Sequence, residues 1–149
     1  MTKAIYFDMD GTIANLYAVE NWLPMLQNSI TTPYKEAKPM LNFSALAQRL
    51  NNLQKKGFHI GIISWLSKKG TNKYNNKVIE TKIKWLQKHL KSVNWNEIKI
   101  VEYGTPKHEI ANYPKGILFD DEKQNRDNWT GTAYNEKNII KILDKLKNI

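Results

Sequence analysis

Apolar residues follow two patterns that alternate along the chain. Short runs rich in Ile, Val and Phe predict buried β-strands, whereas apolar residues that recur every three or four positions predict amphipathic helices. Strands are predicted over residues 3–8, 58–64, 98–102 and 115–119, with a short fifth strand at 132–134. Segments with the helical pattern lie between and after these strands.

Helical spacing is clearest in three segments. It is formed by Phe43, Leu46, Leu50 and Leu53, by Ile79, Ile83, Leu86 and Leu90, and by Ile139, Leu143 and Leu146. Apolar strands with amphipathic helices between them form a parallel sheet that is covered on both faces. The pattern therefore predicts an α/β fold, a Rossmann-like three-layer α/β/α arrangement with a mostly parallel sheet, in one domain over residues 1–149.

The end of the first predicted strand carries two carboxylates, in the segment Asp8-Met9-Asp10-Gly11-Thr12. Carboxylates one residue apart point to opposite faces of an extended chain, so Gly11 must supply a bend if they act at one point. A carboxylate such as Asp8 can attack phosphorus, and Asp10 can protonate the leaving oxygen. The alternative is an ordinary Asp-Gly turn.

Two more polar residues follow later strands. Ser64 ends the second strand, where its hydroxyl could donate to a phosphate oxygen, although Ser is also common in turns. Lys107 lies just after Thr105 and Pro106, which are predicted as the N-cap and the first residue of a helix. A cation in a first helical turn is disfavoured unless an anion lies nearby. The alternative for Lys107 is a solvated surface lysine.

An acidic pair, Asp120-Asp121, directly follows the fourth strand. Adjacent carboxylates at an apolar strand end repel each other unless a metal ion or solvent compensates them. Carboxylate oxygens are ligands that suit Mg²⁺. Because ligands bind at the carboxyl ends of the strands in such sheets, all of these residues are expected at one edge.

In this order, the four segments resemble the motifs of the haloacid dehalogenase-like (HAD) phosphohydrolase superfamily. The resemblance implies a Mg²⁺-dependent phosphomonoesterase with Asp8 as the nucleophile and Asp10 as the acid and base. It implies phosphate binding by Ser64, Lys107, Gly11 and Thr12, and metal binding by Asp8, Asp10 (through its backbone carbonyl), Asp121 and, less directly, Asp120. The chain looks most like the 5′(3′)-deoxyribonucleotidase branch, which favours a nucleoside monophosphate as the small phosphorylated substrate.

In this family an insertion after the first motif covers the site. Here residues 13–42 are predicted as a small cap made of one short helix and a loop, which leaves the site open. An equally weighted alternative is a further core helix, since helical spacing is also found in Leu16, Val19, Leu23 and Leu26. Candidates for stacking on a nucleobase are Trp22, Tyr34 and Trp65.

Basic residues outnumber acidic ones, 23 to 14, for a net charge of +9. One face of a predicted helix carries Lys73, Lys77, Lys84, Lys88 and Lys91. Such a face is usually solvated surface, yet it also suits an anionic substrate, including a polynucleotide. Two alternative functions follow: a phosphatase acting on polynucleotide ends, and a non-enzymatic nucleic-acid-binding module on the same scaffold.

The residue composition narrows the possible chemistry and cellular location of the protein. The chain has no cysteine, which excludes disulfides and thiol chemistry and favours a cytoplasmic location. No segment has the apolar length of a membrane span, so no membrane partner is expected.

Overall fold

Strands and helices alternate along the chain in the computed structural model, which describes residues 2–149. The strands are β1 (Ala4–Phe7), β2 (Ala14–Asn15), β3 (Lys38–Pro39), β4 (His59–Trp65), β5 (Glu97–Val101), β6 (Ile117–Phe119) and β7 (Thr132–Tyr134). The helices are α1 (Trp22–Gln27), α2 (Thr32–Glu36), α3 (Phe43–Lys55), α4 (Asn72–His89), α5 (Lys107–Ile110), α6 (Lys123–Asn128) and α7 (Ile139–Leu146). Two single 3-10 turns lie at Leu16–Ala18 and Glu136–Asn138.

The central sheet has five parallel strands in the order β5-β4-β1-β6-β7. Strand β1 lies in the middle, where Ile5 pairs with Ile60 on one side and Ile117 on the other. All four residues of β1 are buried because both faces of the sheet are covered. The predicted α/β fold with a mostly parallel sheet is therefore confirmed.

The two faces of the sheet pack against different elements. Ile5 and Phe7 lie in the larger apolar cluster, together with residues of α3, α4 and α7. The opposite face carries Tyr6, which packs in a smaller cluster with Ala111 and Trp129. Alternation of side chains along β1 thus supplies both layers of the core.

The predicted helical stripes of α3 and α7 are confirmed by burial, except that Phe43 is half-buried, and the α4 stripe is wrong in part. Leu86 and Leu90 of the α4 stripe are buried, but Ile79 and Ile83 are only half-buried. The buried face of α4 instead includes Tyr74, Val78, Lys82, Trp85 and Leu86. Because Lys82 lies on this face, the buried positions do not form a continuous apolar pattern. The predicted Ile79 and Ile83 therefore lie one residue beyond the buried Val78 and Lys82.

The insertion folds as short separate pieces. The prediction of a further core helix from Leu16 to Leu26 is wrong, because non-helical residues separate the first 3-10 turn from α1. Asn21, before α1, has a left-handed φ of 59°, and α1 contains no buried residue. The described part of residues 13–42 contains two short helices and the antiparallel β2–β3 pair, more structure than one helix and a loop. The insertion packs on α4, where Tyr74 donates a hydrogen bond to the Ile30 carbonyl at 2.8 Å.

Among the helices of residues 2–149, none is both long enough and apolar enough to cross a membrane.

Candidate active site

The carboxyl ends of β1, β4 and β6 bring together residues that are far apart in the sequence. Asp8 directly follows β1, Ser64 is the penultimate residue of β4, and Asp120 directly follows β6. Lys107 begins α5 and reaches between two of these strand ends. Its Nζ lies 2.9 Å from Asp8 Oδ1 and 2.7 Å from Asp120 Oδ2.

Lys107 is almost fully buried, and two carboxylates surround it. Burial alone would lower its pKa, but the negative charges of Asp8 and Asp120 outweigh that effect and raise it. The lysine is therefore held as a cation against the proposed nucleophile. The predicted N-cap is wrong by one residue: Pro106 caps α5, and the Thr105 hydroxyl instead donates to the Glu102 carbonyl at 2.7 Å.

The turn after β1 depends on a glycine. Gly11 has a φ of +82°, in the left-handed region that side chains rarely adopt. A Cβ at this position would also lie only 2.8 Å from Asp121 Cγ and 2.8 Å from Tyr17 Cε2. Gly11 therefore allows the chain to turn and lets Asp121 approach the Asp8 loop.

Thr12 joins the first acidic segment to the last. Its buried hydroxyl lies 3.0 Å from Asp8 Oδ2 and 3.1 Å from Asp121 Oδ1, and it accepts a hydrogen bond from the Asp121 N–H at 3.1 Å. The N–H groups of Gly11 and Thr12 donate to Ala14 and Met9 carbonyls within the turn. Phosphate binding by Gly11 and Thr12 stays a prediction, because their donors have partners inside the protein in this structure.

Three carboxylates, those of Asp8, Asp120 and Asp121, have oxygens that all lie within 4.8 Å of one another. Burial and the nearby Asp8 charge raise the pKa of Asp120 to about 6 and that of Asp121 to about 8. The carboxylates thus repel one another, and a divalent cation between them would relieve the repulsion. Because hard oxygen donors of this kind suit Mg²⁺, the residues fit the predicted metal.

The two adjacent acids have different surroundings. Asp120 Oδ2 accepts from Lys107 and, at 3.1 Å, from Asn125, while Oδ1 accepts from the Glu122 N–H at 2.9 Å. Asp120 is completely buried, whereas Asp121 is half-exposed. Asp120 therefore orients Lys107, and Asp121 as the direct metal ligand stays a prediction.

A second buried lysine, which the sequence analysis did not single out, contacts the proposed acid and base. Lys82 is only 1% exposed. Its Nζ donates to Asp10 Oδ2 at 2.8 Å, to Ser64 Oγ at 2.8 Å and to the Trp65 carbonyl at 2.7 Å. One signal could have revealed it: Lys82 lies four residues after Val78, on the helix face that is otherwise apolar.

Asp10 lies beside Asp8 on the floor of the site. Burial raises the pKa of Asp10 even though the Lys82 cation acts to lower it. A raised pKa keeps a carboxyl group available in its protonated form, which is the form that a general acid needs.

A cavity of about 650 Å³ opens above Asp8 and Asp10, between the insertion and the loop after β4. Trp22 and Trp65, two of the predicted stacking candidates, line it and are half-buried. The third, Tyr34, is only 5% exposed and packs in the core of the insertion. Two aromatic residues that the sequence analysis missed, Tyr17 and Tyr103, also line the cavity and are about half-exposed, at 47% and 51%.

No protein-family model and no curated protein sequence matches the chain. Solved structures do. D,D-heptose 1,7-bisphosphate phosphatase from Burkholderia thailandensis superimposes with a TM-score of 0.59 at 10% identity, over 97% of this chain and 98% of that one. The same-named enzyme from B. bronchiseptica, complexed with magnesium and phosphate, gives a TM-score of 0.59 at 9% identity over 99% of both chains.

At such low identity the likeness establishes a common fold. The chain therefore has, over nearly its full length, the α/β fold of these two phosphatases. Neither structure is named as a nucleotidase, so the predicted nucleotidase branch finds no support in them.

Proposed function

We propose that this chain is a Mg²⁺-dependent phosphomonoesterase of the HAD-like class, which forms an aspartyl-phosphate on Asp8. The observation that supports this most is the placement of Asp8 on the cavity floor with the Lys107 ammonium 2.9 Å away. Asp10 lies in the same cavity, and the phosphatases with the same fold include one complexed with magnesium and phosphate.

In the first step, a carboxylate oxygen of Asp8 bonds to phosphorus as the bond from phosphorus to the ester oxygen breaks. Asp10 gives its proton to that departing oxygen, which leaves as an alcohol. Lys107 and the Ser64 hydroxyl would stabilise the charge on the transferring phosphoryl oxygens.

In the second step, water attacks phosphorus, Asp10 takes a proton from that water, and the bond to Asp8 breaks to release phosphate. Asp8 and Asp121, with the backbone carbonyl of Asp10, would hold Mg²⁺. The bound ion would neutralise negative charge where the phosphate dianion meets the carboxylates.

A nucleoside monophosphate is the first substrate that we propose. The partly exposed aromatic side chains that line the cavity (Tyr17, Trp22, Trp65 and Tyr103) offer faces on which a base can stack. They line the same cavity as Asp8, so one nucleotide could stack its base on them and present its phosphate to Asp8.

A phosphatase screen tests both parts of this proposal. Purified protein is assayed with mononucleotides, sugar phosphates, and oligonucleotides phosphorylated at the 3′ or 5′ end, each with Mg²⁺ and with EDTA. We expect Mg²⁺-dependent release of phosphate, fastest from mononucleotides. Activity that is indifferent to EDTA would contradict the metal site, and faster hydrolysis of sugar phosphates would contradict the nucleotide assignment alone.

A phosphatase acting on polynucleotide ends is a second candidate, favoured by the lysines on α4. All five lysines of the predicted basic face are exposed: four lie on α4 (Lys73, Lys77, Lys84 and Lys88), and Lys91 follows the end of the helix at His89. Gly70 and Thr71, immediately before α4, line the cavity, so this row begins near the cavity and extends along the helix away from it. A nucleic-acid backbone could follow the row, as it could in the non-enzymatic alternative, which predicts binding without turnover.

Salt dependence separates these candidates. If single-stranded DNA lies along α4, the logarithm of its affinity should fall with the logarithm of salt concentration, with a slope of about −0.7 per phosphate engaged. Replacing Lys84 and Lys88 with Gln should flatten that slope without altering hydrolysis of a mononucleotide. The matched control replaces the exposed Lys141 and Lys145 of α7. DNA binding that is absent, or equal in both double variants, would leave the α4 row as ordinary solvated surface.

The organisation of the chain and its location also belong to the proposal. We propose one phosphohydrolase domain in which residues 13–42 act as a small cap over the cavity. The absence of cysteine suits the reducing cytoplasm. Fractionation of cells that express a tagged chain would test the location.

A further inference from the structure

Lys82 is the buried charge whose role the proposed mechanism leaves open. It projects from the middle of α4 and is only 1% exposed. An ammonium has three donors, and all three have oxygen partners here, at 2.7–2.8 Å: Asp10, Ser64 and the Trp65 carbonyl. Taking an ammonium out of water is unfavourable, and buried ion pairs are weak evidence for stability.

We infer that Lys82 is a positioning residue that holds Asp10 and Ser64 in their reactive orientations, an inference that rests on the proposed function. Lys82 contacts Asp10 and Ser64 at the same time. The same ammonium lies 4.9 Å from the ring centre of Tyr34, a residue of α2 in the insertion. Lys82 therefore connects the acid and base, the phosphate-binding hydroxyl and the cap.

The contact with Asp10 selects between its two oxygens. Oδ2 accepts from the Lys82 ammonium, and an oxygen engaged in this way is the poorer site for a proton. In the acid form the proton therefore resides on Oδ1. Lys82 thus fixes which oxygen delivers the proton to the departing ester oxygen.

The contact with Ser64 orients a hydroxyl. A serine hydroxyl has one hydrogen and two lone pairs, and Ser64 Oγ accepts from Lys82 at 2.8 Å. The single hydrogen is then left for a phosphoryl oxygen. Ser64 is completely buried, so this orientation is set inside the protein rather than by solvent.

Leaving-group dependence tests the inference in the Lys82→Met variant, which keeps the length of the side chain and removes its charge. A p-nitrophenolate leaves without help from an acid, whereas the alkoxide of an alkyl phosphate does not. The comparison uses kcat/KM, because this ratio covers only the steps up to the first phosphoryl transfer. The alkyl substrate is the alkyl phosphate that the wild-type protein hydrolyses best.

We expect kcat/KM of Lys82→Met to fall by about 10²-fold on the alkyl phosphate, and by less than about tenfold on p-nitrophenyl phosphate. Ser64→Ala should slow both substrates to the same degree, because it removes only a phosphate contact. Lys141→Met, at an exposed lysine of α7 outside the proposed sites, should match the wild type on both. Equal losses on the two substrates in Lys82→Met, or no loss on either, would overturn the inference.

A second variant covers the case in which Lys82→Met does not fold. The chain has no cysteine, so Lys82→Cys introduces the only thiol. Alkylation of the unfolded variant with 2-bromoethylamine, followed by refolding, rebuilds an ammonium on a side chain of nearly the same length. We expect the aminoethylated protein to regain kcat/KM on the alkyl phosphate to within about tenfold of wild type. A refolded, aminoethylated protein that stays as slow as the unalkylated one would refute the role of Lys82.

Failure of this inference can be told apart from failure of the proposed function. If the wild-type protein hydrolyses neither p-nitrophenyl phosphate nor any alkyl phosphate, the proposed function fails and the inference fails with it. If it hydrolyses alkyl phosphates other than nucleotides, only the substrate assignment fails. If the wild type is active and the two substrates respond equally to Lys82→Met, only the inference about Lys82 fails.

Discussion

Two clusters of buried charge, one at the start of β4 and β5 and the other at the carboxyl ends of β1 and β6, differ in how their carboxylates are compensated. At the amino ends of the strands, Glu97 accepts from Tyr6 Oη at 2.8 Å and from the Asn112 N–H at 3.2 Å. His59 Nε2 and Lys99 Nζ lie 2.7 and 3.1 Å from the same carboxylate. One negative charge therefore has four polar partners.

The carboxyl-end cluster has the opposite balance. There, the carboxylates of Asp8, Asp120 and Asp121 lie close together, and the Lys107 ammonium contacts only two of them, Asp8 and Asp120. Burial tends to raise the pKa of Glu97, but its hydrogen bonds outweigh that and lower it, whereas the pKa values of Asp120 and Asp121 are raised. A carboxylate with several hydrogen-bond donors around it stabilises the folded protein. Several carboxylates with few donors repel one another, and a bound cation relieves that repulsion. The comparison predicts that changes at one end affect stability and changes at the other affect activity.

The largest expected effect is on activity, at the nucleophile. Asp8→Asn keeps the side-chain volume and removes the attacking charge, so phosphate release from every substrate should fall to the rate without enzyme. The circular dichroism spectrum should stay that of the folded protein. Asp127→Asn, at an exposed carboxylate, is the control and should keep full activity. Retained turnover in pure Asp8→Asn would contradict the covalent mechanism.

The next effect concerns the metal. Asp121→Asn should raise the Mg²⁺ concentration for half-maximal activity by at least about tenfold, whereas Asp127→Asn should not. In EDTA the same change should not destabilise the protein at pH 7. The pKa of Asp121 is raised to about 8, so ionising it weakens the folded state as pH rises from the usual 3.8 towards that value. Urea unfolding checks this, and a clear loss of stability in EDTA would contradict the repulsion between the carboxylates.

A smaller effect, on stability, is expected at the amino-end cluster. Glu97→Gln removes the negative charge that accepts hydrogen bonds from several donors. Hydrogen bonds to charged groups contribute about 1.5–3 kcal/mol each to stability. We expect the free energy of unfolding in urea to fall by about 1–3 kcal/mol while kcat/KM is unchanged. Glu102→Gln, at an exposed glutamate next to β5, should leave both quantities as they are. Loss of activity without loss of stability in Glu97→Gln would reverse the comparison.

The smallest effect is the pH dependence of that stabilisation. The pKa of Glu97 lies below its usual 4.5, so as pH falls the unfolded chain takes up a proton before the folded one does. The stability that Glu97 contributes is therefore complete above the unfolded pKa and is lost as pH falls through the lower, folded one. The difference in unfolding free energy between wild type and Glu97→Gln should be constant near neutral pH and shrink below 4.5. A difference that grows in acid would contradict the lowered pKa.

Much of the fold and part of the site could be predicted because their signals are local. The stripe of Leu46, Leu50 and Leu53 predicts the buried face of α3, since helical spacing depends only on neighbouring turns. The polar residues at strand ends could be expected to meet, because parallel strands end at one edge. By contrast, Asn21 interrupts the helical spacing that begins at Leu16 by adopting a left-handed conformation, which Asn tolerates but which the neighbouring residues do not require.

By itself, the sequence determined the order of the five sheet strands, the three longest helices and the polar residues that follow the strands, because these depend on residues a few positions apart. The tertiary structure alone decided which charges became partners. Lys82 and Asp10 are 72 positions apart, and Tyr6 and Glu97 are 91 apart. Among 23 basic residues, the place of Lys82 on the otherwise apolar face of α4 signals burial but does not identify its partners. Its role depends on how α4 packs against the end of β1, because a buried lysine is tolerated only where the fold brings it oxygens.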